Sequence, residues 1–151
     1  MPALMRLFAA LLLSAGSAQA QASAPRCGGD AWELAAAAER ALLRGDWPGS
    51  ARLYGCAVAG SLDPALAERA TRTAFENGQY QEAVRQARRW LAIQPASEPA
   101  RRHLAIGLLR LYDDAGAAAE FEQLLATAYE DRARGHLVLL GILAEEGNET
   151  G

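Results

Sequence analysis

The chain has no lysine, only two histidines and only two cysteines, and aromatic residues make up 7% of it. Each shortage removes a class of function. Two histidines, His103 and His136, stand 33 residues apart, and neither has a cysteine or histidine at metal-ligand spacing. No Cys-x-x-C pair is present, so the cysteines do not read as a redox couple. No Gly-x-Ser-x-Gly occurs, no serine or cysteine has an identifiable base, and no glycine-rich phosphate loop follows a strand. Hardly any alternating strand pattern appears at all. The neighbouring carboxylates Asp113 and Asp114 fall at a helix start, where negative charge suits the helix dipole without catalysis. The sequence therefore offers no catalytic constellation, no metal site and no cofactor site, and an enzyme is not expected. Formal charge is −3, against wholesale nucleic-acid binding. All fifteen basic residues are arginine. Beside so much alanine, that preference reads as the codon bias of a GC-rich bacterial genome, not as chemistry.

The ends set the compartment. Met1–Arg6 carries one positive side chain, Leu7–Ala15 is apolar, and Ala18-Gln19-Ala20 is a small-x-small cleavage signature. This is the layout of a secretory signal peptide over residues 1–20, cut after Ala20. The apolar run is short of the roughly 20 residues that an anchor needs, and no later stretch is long enough to span a membrane. Arg26 before Cys27 does not fit a lipid-attachment site, so a soluble product starting at Gln21 is expected, periplasmic or secreted. An even pair of cysteines in an oxidising compartment suggests one disulfide, Cys27–Cys56. Residues 21–29 read as a flexible lead, Glu145–Gly151 as an acidic, frayed end, and residues 147–151 as a tail beyond the domain.

What is present in abundance is helical pattern, and it repeats. Gly45-Asp46-Trp47 is followed 33 residues later by Gly78-Gln79-Tyr80, and 34 residues after that by Tyr112-Asp113-Asp114. Each of these turns sits between two helical patterns of similar length. A period of 33–34 with two helices per unit marks a stacked helical array. Caps place the helices. Asp30, Asp46, Asp63 and Ser97 each precede an apolar-periodic run, and Pro48, Pro64 and Pro99 fall in first turns, where a missing N–H costs nothing. Asn77-Gly78 supplies a left-handed stop. The reading is three units, about 31–63, 64–97 and 98–127, and a seventh helix at about 129–144 as a terminal cap, within a domain spanning 30–146.

These units resemble tetratricopeptide repeats. The matching residues in the middle unit are Ala67, Ala70-Thr71, Ala74, Gly78, Tyr80, Ala83-Val84, Leu91, Ile93 and Pro95. In the third they are Leu104-Ala105, Leu108, Ala117 and Phe121; in the first, Leu34, Ala37-Ala38, Ala41, Gly45, Trp47, Ser50, Tyr54 and Ala57. Small residues such as Ala38, Thr71, Ala83, Ala105 and Ala117 let helices approach, while Trp47, Tyr54, Tyr80 and Phe121 fill gaps between pairs. Three positions depart from the pattern. Ala87 stands where an aromatic is usual, Trp90 where a small residue is usual, and Tyr112 replaces a turn glycine. The resemblance implies an all-α fold, a right-handed superhelical array of about three helix hairpins plus the capping helix.

The resemblance also implies a function. In that family the first helix of each pair lines a concave face that holds a protein or peptide. Carried over, the groove would present Trp32, Ala35, Ala36, Glu39 and Leu43, then Glu68, Arg69, Arg72, Phe75 and Glu76, then Arg102, His103, Ile106, Leu109 and Arg110. Charge is uneven along the chain. Pro64–Leu111 holds eight arginines and four acids, whereas Tyr112 to the end holds nine acids and two arginines. Arginine grips carboxylates with two parallel donors, so an acidic segment of an envelope protein is the expected ligand. The competing expectation for these arginines is a solvated face with local pairs, Arg72 with Glu68 or Glu76 and Glu98 with Arg101 or Arg102. The competing function is a structural subunit that self-assembles through Trp32, Trp90 and the seventh helix. A small-molecule binder would need a closed cavity, which three short repeats seldom enclose.

Overall fold

The computed structural model describes residues 27–128 and 131–148. The signal segment expected at 1–20 and most of the lead lie outside the described residues. Seven helices are described: α1 Ala31–Leu43, α2 Trp47–Ala59, α3 Pro64–Glu76, α4 Tyr80–Ile93, α5 Glu98–Arg110, α6 Asp114–Ala128 and α7 Arg132–Asn148. No strand occurs among the described residues.

Side chains at the caps decide where the helices begin. Asp30 Oδ1 accepts the Trp32 N–H at 2.8 Å, Asp46 Oδ1 that of Gly49 at 2.9 Å and Asp63 Oδ1 that of Ala65 at 2.9 Å. Ser97 Oγ accepts from Ala100 at 3.3 Å, and Asp113 Oδ1 from Gly116 at 3.0 Å. Each satisfies a donor that the first turn leaves without an intrahelical partner. The seventh helix departs from expectation. It starts at Arg132 rather than 129, because Asp131 Oδ1 accepts the Ala133 N–H at 2.9 Å and fixes the first turn there. It also runs to Asn148, past the expected end at 144.

The turns inside the three hairpins are one motif used three times. In the first, the Gly45 N–H reaches the Leu42 carbonyl at 2.9 Å and the Asp46 N–H reaches Ala41 at 3.0 Å. The second repeats this with Gly78 to Phe75 and Gln79 to Ala74, and the third with Tyr112 to Leu109 and Asp113 to Leu108. Such a crossed pair of bonds closes a helix only if the residue after the cap is left-handed. Gly45 and Gly78 adopt φ of 75° and 69°, and Tyr112 adopts 61°. Tyr112 is the one non-glycine residue with positive φ among those described.

Packing runs along the chain. The densest interfaces lie within the hairpins α1/α2, α3/α4 and α5/α6, with α4/α5 and α2/α3 joining successive units. Helices in like positions also touch, α2 with α4 and α3 with α5. No substantial interface joins α1 to α5, α6 or α7, so the described helices form an open array of tetratricopeptide-like hairpins, not a closed bundle. The core is built largely of alanine. Ala38, Thr71, Ala83 and Ala105 are fully enclosed and Ala117 nearly so, which sets the close helix spacing. Ala87 and Trp90 are both buried, so the large core residue stands one turn further along α4. Trp90 Nε1 donates to Gln94 Oε1 at 3.0 Å. At 3% exposure Trp90 is core, which overturns the expectation that it helps form an outer interface.

Candidate functional site

The first helices of the pairs carry the expected groove residues, and two hollows lie among them. The larger, of about 400 Å³, is lined by Glu68, Arg72 and Phe75 of α3, Arg102, His103 and Ile106 of α5, and Ile142 of α7. The smaller, of about 330 Å³, lies between α1 and α3 and includes Leu42, Arg69, Arg72 and Glu76. Both are open to solvent. The Glu68–Arg72 row of α3 borders both.

The floor of the larger hollow is aromatic. His103 meets the Phe75 ring edge-on with centroids 5.6 Å apart, and Phe75 meets Tyr80 at 5.4 Å in the same manner. Behind His103 stands Trp90, 6.4 Å away. The imidazole is oriented by Nδ1, which donates to the Pro99 carbonyl at 2.8 Å. A carbonyl can only accept, so the proton sits on Nδ1. Ile106 is 8% exposed and contributes mostly to the core while edging the hollow.

Arginine in this region is balanced by acid. Arg72 Nη1 lies 4.0 Å from Glu68 and Nη2 lies 3.6 Å from Glu76, while Arg102 Nη2 lies 3.5 Å from Glu98. These are helical pairs between exposed side chains, which contribute about 0–1 kcal/mol each. Arg102 Nε is buried and has no hydrogen-bond partner among the described residues. Arg101, a neighbour in sequence, turns the other way and binds Glu120 of α6 at 2.8 Å.

Arg69 belongs to a different arrangement. Its Nε donates to Glu39 Oε1 at 3.0 Å, and the same carboxylate accepts the hydroxyl of Tyr54. The three side chains tie α3, α1 and α2 together. Burial, and after it the hydrogen bond to the Glu39 carboxylate, raises the Tyr54 pKa from 10.0 to about 12. The Arg69 pKa is also raised, first by the hydrogen bond with Tyr54 and then by Glu39.

The structure thus gathers Arg72, Phe75, Arg102, His103 and Ile106 around one hollow and holds Glu39 and Arg69 in an inter-helix tie beside the other. Trp32 is 63% exposed in the first turn of α1 and lines neither hollow. Arg110 lies over the Tyr80 ring, 5.8 Å from its centre, also away from the lining. Ala35 joins the core at 8% exposure. Ile142 was missed by the sequence reading. The signal for it was its place on the apolar side of α7, a helix read as a terminal cap or a self-assembly surface and not as part of the groove.

Cys27 and Cys56 form a disulfide, with Cα atoms 5.0 Å apart. It ties the segment before α1 to the last turn of α2. Among the described residues, no group of three or more histidine, cysteine or acidic side chains is placed to hold a metal ion. Nor is any helix among them long and apolar enough to cross a membrane.

No protein-family model matches the sequence, and no curated protein matches it. Among solved structures, the chain is similar to the TPR domain of Sgt2 from Aspergillus fumigatus, with a TM-score of 0.49 and 19% identity over 79% of this chain and 82% of that one.

Proposed function

We propose that the protein is an exported interaction scaffold that holds a segment of another protein along the face formed by α1, α3 and α5. The observation that carries this reading is the open hollow where Phe75, His103, Ile106 and Ile142 meet the guanidinium groups of Arg72 and Arg102. An apolar floor rimmed by two charged donors suits a side chain flanked by a carboxylate. Arg72 pairs with Glu68 and Glu76 and Arg102 with Glu98 only through solvent-accessible contacts, so a ligand carboxylate can compete with these acids at small cost, Glu68 at the edge of the hollow included. Arg69 is not available in this way, since Glu39 and Tyr54 occupy it. The acidic-ligand idea therefore narrows to Arg72 and Arg102. The Cys27–Cys56 bond supports an oxidising compartment, in keeping with a periplasmic or secreted protein.

The test is capture of partners by chemical cross-linking in the bacterial envelope, followed by mass spectrometry. Arg72→Glu with Arg102→Glu should reduce recovery of the wild-type partner by about tenfold or more, the loss of roughly 1.4 kcal/mol of binding. Arg52→Glu with Arg88→Glu, both on exposed positions of α2 and α4, should leave recovery intact. Equal recovery from the groove pair and the control pair removes the proposal.

A further inference from the structure

The Cys27–Cys56 bond stands in the wall of a solvent-open hollow of about 490 Å³, lined also by Arg52 and Gly55 of α2 and by Glu82, Arg85 and Gln86 of α4. Cys27 is exposed and Cys56 half-buried. Arg52 precedes Cys56 by four residues and so lies one turn away on the same face of α2. Glu82 is the acid of this lining, and it already accepts from Arg85 and Gln86. Gly55 permits that arrangement, since a Cβ there would stand 2.8 Å from Glu82 Oε1 and 3.2 Å from Gln86 Nε2. Two guanidinium groups against one carboxylate leave the lining with a net positive charge. The last turn of α2 opposes this with a partial charge of only about −0.5. Negative charge arriving on Cys56 Sγ is therefore favoured, and a sulfur so placed is the better leaving group of the two.

We propose that this bond is a thiol-exchange site, opened by a dithiol reductant that attacks Cys27 and expels Cys56. In the first step a thiolate of the reductant attacks Cys27 Sγ, the more accessible sulfur. A mixed disulfide forms, the Cys27–Cys56 bond breaks, and the electron pair leaves on Cys56 Sγ beside Arg52 and Arg85. In the second step the reductant's other thiol, as thiolate, attacks its own sulfur in the mixed disulfide and releases Cys27. The reductant ends as a disulfide, the protein gains two electrons, and two protons pass from the reductant to the two cysteines. Cys27 can depart without unwinding α1. The helix is capped by Asp30, and Gly28-Gly29 stands between them, with Gly29 at a φ of 124°. The bond is the substrate of the exchange and not a catalytic couple, in keeping with the lack of a Cys-x-x-Cys motif. Its opening frees the segment before α1 from the first hairpin. The hollow that carries the peptide-binding reading is built from α3, α5 and α7, so the inference stands whether or not that groove holds a partner.

The test treats the folded, oxidised protein briefly with 2-mercaptoethanol, a neutral monothiol, quenches with iodoacetamide and maps both cysteines by mass spectrometry. The expected product carries mercaptoethanol on Cys27 and the alkyl group on Cys56, in about tenfold excess over the reverse. In Arg52→Gln with Arg85→Gln that preference should fall by about threefold or more, and reduction by dithiothreitol should slow, while circular dichroism stays as in wild type. An adduct mainly on Cys56 overturns the proposal, as does a ratio that the arginine changes leave untouched. A bond that resists dithiothreitol in the folded protein and yields only after unfolding in urea is a structural crosslink, and overturns it equally. The mapping starts from the crosslinked wild-type fold, so it reads the site whatever the stability of the reduced chain or of the arginine variant.

Discussion

The first two hairpins turn on glycine, and the third turns on tyrosine. The hydrogen bonds of the turn are the same in all three, so the difference lies in what the backbone must tolerate to make them. The two ends of the molecule differ in the same direction elsewhere. Around the first hairpin a disulfide closes the segment before α1 onto α2, and the Glu39–Tyr54–Arg69 cluster ties it to the next unit. Around the third hairpin, α7 rests on α6 through a thin interface, with leucines open on its far side. In an array whose units touch only their neighbours, such differences stay local. A fixed repeat period therefore says little about how firmly each unit is held.

The largest expected effect tests the firm end. Cys27 and Cys56 are 29 residues apart, and closing a loop of that size restricts the unfolded chain by about 3 kcal/mol. Cys27→Ser with Cys56→Ser should lower stability by about that amount. Hydrogen exchange should locate the loss: amides of α1 and α2 should exchange faster, while those of α5 and α6 change little. A uniform rise across all helices would show that the array unfolds as one body and would erase the contrast between its ends.

The Glu39–Tyr54–Arg69 tie gives a pH-dependent effect of intermediate size. The Tyr54 pKa is raised in the folded protein from 10.0 to about 12. A proton held more firmly in the folded state stabilises it fully below the unfolded pKa, near 10. That contribution is lost as pH climbs through 10 towards 12. Ultraviolet difference absorption should therefore show one tyrosinate forming late, together with a fall in stability over that window. Tyr54→Phe should abolish the late step and flatten this part of the stability profile. It should also weaken the fold at neutral pH by about 1 kcal/mol, since a buried hydrogen bond is gone while Arg69 still satisfies Glu39. Persistence of the late step would assign it to another tyrosine.

Much of the fold was legible because its signals are local. A cap is a single residue and its first turn, so Asp30, Asp46, Asp63 and Ser97 could be placed without knowing any neighbour. The small residues at helix contacts were also legible, because a repeat shows the same position more than once. Tertiary choices were not. Whether Arg69 faces solvent or Glu39 depends on a residue thirty positions away on another helix, and a charge count treats both cases alike. Trp90 looked available for an outer surface because one missing aromatic at Ala87 does not say which way the replacement points. Ile142 lines the larger hollow only because α7 reaches past α6 to the face of α3 and α5, and nothing in the helix's own sequence states that reach.

The smallest effect bears most directly on the comparison of turns. Tyr112 is 92% exposed, so its side chain gains little from packing to offset a left-handed backbone. That conformation costs a residue with a Cβ about 1–2 kcal/mol, whereas glycine adopts it freely and loses about 0.5–1 kcal/mol of unfolded-state entropy instead. Tyr112→Gly should therefore stabilise the third hairpin by about 0.5–1 kcal/mol. Gly78→Ala is the mirror experiment. A Cβ at Gly78 would meet nothing within 4 Å, so only the backbone term acts, and a loss of about 1 kcal/mol is expected. Both are measured as shifts in the urea midpoint. If glycine at 112 weakens the protein, the tyrosine ring must contribute through a contact that its exposure does not show. The third turn would then be a distinct design and not a costlier copy of the first two.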